Sequence, residues 1–110
     1  MVAIAITGAT GDVGYETCKQ VSAVAEVTKL IITARTEEKA SAVIAELVKD
    51  TGKDHSFFDF VVVDLSDYAS VMTAVRAFPN VDRLCLNAGG LGYSKIHEPS
   101  GATDAVVYNV

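Results

Sequence analysis

The chain has 110 residues, half of them hydrophobic, and carries nine Lys and Arg against fourteen Asp and Glu, a net charge of −5. That length holds one domain at most, and a chain this apolar buries enough surface to offset its ordering entropy, which excludes intrinsic disorder. The acidic balance without a basic run argues against nucleic acid as a partner, and no apolar stretch reaches the ~18–20 residues of a bilayer span, which argues against direct membrane insertion.

Residues 2–7 form a nearly unbroken apolar run ending in glycine, the pattern of a strand buried on both faces. Val13, Thr17, Val21, Val24 and Ala25 then recur at three- and four-residue steps, predicting a helix over 13–25. Residues 29–34 read as a second, β-branched strand. Thr36, with Glu37 and Glu38 in the first turn and Lys39 three residues on, opens a second helix. It turns Ala40, Val43, Ile44, Leu47 and Val48 inward and stops at Gly52. A third strand lies within 57–65, with 60–63 as its core. Ser66 or Asp67 caps a third helix that Pro79 stops. Residues 81–88 read as a fourth strand, broken by the glycines of 89–92, and a last helix starts near Thr103.

Strands joined through helices lie parallel, and right-handed crossovers set the helices against the sheet faces. The expected fold is therefore α/β: a Rossmann-type half, a four-stranded parallel sheet in order 3-2-1-4 with helices on both faces, in one domain over 1–110. Its ligand crevice should open at the carboxyl ends of strands one and four, where the strand order reverses. Left as an edge, the apolar fourth strand would show unpaired amides and carbonyls. The half thus reads as truncated: either a longer chain continues it, or another protein covers strand four. Cys18 falls in a helix and Cys85 in a strand predicted to be buried. Two buried free thiols suit a reducing compartment, such as cytoplasm or an organelle stroma or matrix.

Between the first strand and first helix runs Thr7-Gly8-Ala9-Thr10-Gly11-Asp12-Val13-Gly14. In this setting Gly8 permits a tight turn, Gly11 lets a pyrophosphate approach the backbone, and Gly14 lets the helix pack closely. A glycine-rich turn without a ligand is the plainer alternative. Asp12 suits the positive end of the helix dipole, yet its charge opposes a pyrophosphate unless it faces solvent.

Thr7-Gly-x-x-Gly-x-x-Gly14 resembles the short-chain dehydrogenase/reductase superfamily, in the glycine spacing of its extended and atypical members; the more usual members put glycine at Asp12. Asp64-Leu65, Asn87-Ala88-Gly89 and Asn109 resemble those usual members. The 22-residue separation of Asn87 and Asn109 is similar to the retinol dehydrogenase and protochlorophyllide reductase subgroup. The resemblance implies a bound dinucleotide held by Thr7, Gly8, Thr10, Gly11, Asp12, Val13 and Gly14. It also implies that Asp64 bonds the adenine amino group, the Leu65 backbone lines the adenine pocket, and Ala88 and Gly89 pass beneath a ribose. Asn87 would tie the central strands together, and Asn109 would be a catalytic-site residue that helps hold a water relay. Asp64 can equally be a strand-end carboxylate or a helix cap.

Cofactor choice turns on the end of the second strand, where a carboxylate favours NAD and a base favours NADP. Arg35 stands there, with Lys39 a turn further on, and a guanidinium binds phosphate bidentately. NADP(H) is the expected cofactor, NAD the lesser candidate. The alternative for Arg35 and Lys39 is surface pairing with Glu37 and Glu38.

The family's catalytic tyrosine and lysine share one helix as Tyr-x-x-x-Lys. Tyr15-Glu-Thr-Cys-Lys19 matches the spacing but lies directly after the glycine turn, far before the family position, and reads as coincidence. His55 and His97 lack companions at metal-ligand spacing, so no metal is expected. The expected function is the NADP-binding N-terminal portion of a reductase whose parent moves hydride between NADP(H) and a carbonyl or alcohol. Without the catalytic Ser and Tyr-x-x-x-Lys, the chain by itself should be inactive. The alternatives are a non-catalytic structural subunit of a larger assembly and a dinucleotide-sensing regulator.

Overall fold

The computed structural model describes residues 2–88. They run β1 (Val2–Ile6), α1 (Asp12–Ser22), β2 (Val27–Ala34), α2 (Glu37–Thr51), a 3-10 turn (His55–Phe57), β3 (Phe58–Val62), α3 (Tyr68–Ala77) and β4 (Arg83–Cys85). The glycine break at 89–92, the helix start near Thr103, and Gly89, His97 and Asn109 lie outside the described residues.

The four strands form one parallel sheet in the order β3-β2-β1-β4, the expected 3-2-1-4. β2 lies centrally, and Leu30 to Ala34 are buried without interruption, as a strand covered on both faces requires. Strand side chains alternate between faces. Ile6, Leu30, Ile32, Ala34 and Phe58 meet Cys18 of α1 and Ala40, Ile44 and Leu47 of α2 in one core. The opposite parity, Ala5, Ile31, Thr33 and Val63, is buried as well, as is Ala74 of α3, which lies against β3. Helices thus cover both faces.

Helix ends follow side-chain chemistry. Thr36 Oγ1 accepts the Lys39 amide at 3.2 Å to start α2, and Gly52 closes it in the left-handed conformation at φ 73°. Of the two candidate caps for α3, Asp67 does the work, accepting the Ala69 amide at 3.1 Å.

Three elements depart from expectation. α1 stops at Ser22, and its buried stripe is Gly14, Cys18 and Ser22, whereas Val13 and Val24 of the expected face are exposed and Thr17 is half-buried. Val13 is 72% exposed. At Gly14 the helix comes too close to the Gly8 carbonyl for any side chain, so size decides that position, while Val21 further along still packs against the core. β2 begins at Val27 because Val2 donates to the Glu26 carbonyl at 3.0 Å and pairs with Val27 before the register shifts.

β4 is shorter than predicted, and Cys85 is half-buried rather than buried. At its start Asp82 replaces a ladder bond with its carboxylate, accepting the Ala3 amide at 2.8 Å. Beyond Cys85 the Thr7 hydroxyl does the same, accepting the amides of Asn87 and Ala88, each at 3.0 Å. A side-chain acceptor in place of the β1 backbone ends the ladder. Thr7→Val keeps the shape but leaves both amides without that acceptor, so it should lower unfolding free energy by about 2–3 kcal/mol in urea denaturation, while Thr7→Ser should lose less.

Candidate functional site

The end of β1, the start of α1 and the end of β4 meet in one corner. The Thr7 amide donates to the Cys85 carbonyl at 3.0 Å, continuing the β1–β4 ladder. Gly8 then turns the chain at φ 78°, and a Cβ there would lie 2.8 Å from both the Ala88 Cα and the Asn87 Nδ2. A Cβ at Gly14 would fall on the Gly8 carbonyl and come within 2.7 Å of Asn87 Nδ2. These two glycines are required by packing. Gly11 is not: its Cβ would meet only the Gly8 oxygen, at an ordinary 3.7 Å. The absent side chain at Gly11 leaves bare backbone facing open space.

Gly11 is also the N-cap of α1, and no side chain among the described residues caps that helix. Thr36, Asp54 and Asp67 cap α2, the 3-10 turn and α3. The first-turn amides of Asp12, Val13 and Gly14 make no hydrogen bond to a protein acceptor among the described residues. Unsatisfied N–H groups at the positive end of a helix form an anion site. An open groove of about 450 Å³ runs from Thr10, Gly11 and Asp12 along α1 and α2 to Glu46. Asp12 and Glu16, one turn apart, share this flank of α1.

Thr7 is 6% exposed, so its hydroxyl is turned inward and holds β4 against the turn. Asn87 reinforces that junction, its side-chain amide donating to the Gly8 carbonyl at 3.4 Å.

A second group of residues sits where β2 and β3 end side by side, joined by the Val63 amide donating to the Ala34 carbonyl at 2.8 Å. Asp64 Oδ1 accepts from Ser66 twice, from its hydroxyl at 2.6 Å and its amide at 3.0 Å, while the Asp64 amide donates to Ser70 Oγ at 2.9 Å. The Ser66 bonds, with a smaller contribution from the Arg35 charge, hold the Asp64 carboxyl below the ordinary carboxylate range against a modest opposing effect of burial. Asp64 therefore orders the entry to α3 without capping it. Leu65 beside it is half-buried. Arg35 is exposed, and among the described residues neither it nor Lys39 pairs with Glu37 or Glu38; the ion pair present is Lys19–Glu16 at 3.4 Å.

The structure thus gathers Thr7, Gly8, Gly11, Gly14, Asn87 and Ala88 in one corner and sets Arg35 and Asp64 on the same carboxyl edge of the sheet. Sequence reasoning named Ser66 only as a candidate helix cap and missed Ser70, although Asp-x-Ser is an Asx-turn signal. Tyr15 is not activated. Its hydroxyl donates to Asp50 at 2.6 Å, and burial together with Asp50 pushes its pKa above the ordinary tyrosine value. Lys19 lies over the Tyr15 ring at 5.7 Å. His55 is exposed. Among the described residues no cluster of His, Cys, Asp or Glu could hold a metal, and no helix is long and apolar enough to cross a membrane.

The family profile described as short chain dehydrogenase matches residues 2–109. The chain belongs to that family. No curated protein matches it. Among solved structures, the N-domain of bacterial malonyl-CoA reductase with NADP is 32% identical, with a TM-score of 0.69 over 81% of this chain and 17% of that one. Menthone neomenthol reductase from Mentha piperita is 27% identical, with a TM-score of 0.63 over 76% of this chain and 30% of that one. A short-chain dehydrogenase from Sphingobium yanoikuyae in complex with NADPH shares the fold, at 18% identity and a TM-score of 0.68 over 99% of this chain and 42% of that one. The chain spans less than half the length of each of these structures.

Gly14→Ala should cost about 3 kcal/mol of stability in chemical denaturation, since backbone must move to admit the methyl group. Gly11→Ala should stay within about 1 kcal/mol of the native chain. Ser66→Ala should raise the Asp64 titration midpoint toward the ordinary carboxylate range, as read from its side-chain carbon shift by NMR.

Proposed function

We propose that this chain binds NADP(H) as the nucleotide-holding portion of a short-chain oxidoreductase. The observation that carries the reading is the uncapped start of α1 beside an unobstructed Gly11, at the carboxyl end of a parallel sheet and at its topological switch point. The amides of Asp12, Val13 and Gly14 would hold the diphosphate beside Gly11, whose own amide donates to the Gly8 carbonyl, with Thr7, Gly8 and Thr10 shaping the turn. Asp64 and Leu65 would receive the adenine end, and Ala88 and Gly89 would lie under the adenosine ribose. Arg35 would pair with the 2′-phosphate, for which its exposed guanidinium is the matching charge. Three structural neighbours, described as complexes with NADP, NADPH and 5-hydroxy-NADP, support that choice over NAD. Asp12 lines the same groove as Thr10 and Gly11, and with Glu16 and Glu46 its charge opposes the diphosphate there.

The chemistry NADP(H) supplies when bound is hydride transfer at the nicotinamide, between cofactor and a carbonyl or alcohol in the parent enzyme. This chain's own part is binding and orientation. Tyr15, hydrogen-bonded to Asp50 and harder to ionise than free tyrosine, supplies no general acid or base of the family kind. Asn109 is proposed as a site residue by family resemblance alone. Turnover therefore needs groups that this reading does not find in the chain.

A second reading, a non-catalytic subunit, is favoured by one observation. Leu84 and Leu86 of the β4 segment are 54% and 64% exposed, apolar surface that a partner protein or further chain would cover.

Fluorescence titration of the purified chain should show NADPH binding that is weaker for NADH and reduced about tenfold or more by Arg35→Glu, a loss on the order of 1.4 kcal/mol. Binding of neither nucleotide would leave the scaffold reading. Equal binding of both, unaffected by Arg35→Glu, would overturn the assignment of NADP.

A further inference from the structure

Arg35 and Asp64 carry opposite charges at the ends of neighbouring strands and do not pair. They directly follow Ala34 and Val63, whose backbone hydrogen bond of 2.8 Å joins the ends of β2 and β3. The Arg35 charge reaches the Asp64 carboxyl and helps keep it ionised, yet among the described residues no ion pair involves either group. Opposite charges attract, and an arginine side chain spans the gap of about 4.8 Å between adjacent strands. The bonds made by Asp64 explain why the two stay apart. Ser66 takes Oδ1 twice, with its hydroxyl at 2.6 Å and its amide at 3.0 Å, and Ser70 Oγ holds the Asp64 amide at 2.9 Å. Oδ2 accepts no hydrogen bond among the described residues. Both serines belong to the entry and first turn of α3, on one face of the sheet, whereas Arg35 leads into α2 on the other.

We propose that Ser66 is a positioning residue: by holding Asp64 Oδ1 at the entry to α3 it keeps the carboxylate from pairing with Arg35. The guanidinium is thereby left for a ligand phosphate, and Oδ2 for a hydrogen-bond donor on the same ligand. That ligand is the NADP(H) of the preceding reading, on which the role in binding rests. The competition of Ser66 and Arg35 for one carboxylate is a property of the free chain.

Two measurements test these parts separately. In the ligand-free chain, Asp64 is titrated through its side-chain carbon shift by NMR. Arg35→Gln should raise the Asp64 midpoint about twice as far or more in the Ser66→Ala background as in the wild-type background, because the freed carboxylate has turned to the guanidinium. Equal shifts in the two backgrounds overturn the proposal, whatever the chain binds. In fluorescence titration, the preference for NADPH over NADH should fall about threefold or more in Ser66→Ala and return in Ser66→Thr, which restores the hydroxyl. With Arg35→Gln already present, Ser66→Ala should leave that ratio unchanged, since no guanidinium remains to be captured. A Ser66→Ala chain with the full wild-type preference overturns the role in binding while the NADP(H) reading stands. A wild-type chain without preference for NADPH overturns that reading and the role in binding with it, and the NMR result still decides the competition.

Discussion

Two close approaches govern the geometry of this chain: Gly14 against the Gly8 carbonyl, and the Thr7 hydroxyl beneath the amides of Asn87 and Ala88. The first fixes how near α1 comes to the turn, and so which of its residues can face the sheet. The second fixes where β4 stops being a strand. Together they leave one stretch of backbone, around Gly11, where among the described residues a side chain would meet only the Gly8 oxygen at ordinary contact distance. The vacancy is a by-product of tight contacts on either side, which is why it keeps its shape.

Charge is distributed unevenly around that stretch. The N–H groups at the start of α1 present a fixed positive field, and Arg35 adds a mobile positive charge at the far end of the carboxyl edge. Asp12, Glu16 and Glu46 make the α1–α2 flank acidic. Asp64 is restrained by Ser66 and Ser70, so its carboxylate is aimed before any ligand arrives. A long anion with a polar heterocycle at one end meets attraction at the turn and near Arg35, and repulsion along the flank between the helices.

Most of the architecture was legible in the residues. The β-branched run at β2, the Thr36 and Gly52 boundaries of α2 and the three glycines all carry local signals whose physical meaning survives folding. α1 was misread because hydrophobicity is a poor guide where two backbones nearly touch: Val13 scores higher than Gly14, but only Gly14 fits. β4 was overestimated because its apolar run continues past the point where the Thr7 side chain captures the amides. Ser70 escaped notice, and Ser66 was read only as a helix cap, because their roles depend on an acceptor and a donor that come together only once β3 has delivered Asp64.

The uneven support of the sheet has a further consequence. β2 is bonded along both sides, whereas among the described residues β4 is bonded along β1 alone, through three residue pairs flanked by the Asp82–Ala3 and Thr7–Cys85 backbone bonds. Amide exchange should therefore grade across the sheet, slowest in β2 and fastest in β4, so that local opening begins at the strand carrying Asn87 and Ala88. Opening there removes one wall of the corner while the rest of the sheet is still intact, which makes occupancy of the corner and closure of that edge two sides of a single equilibrium.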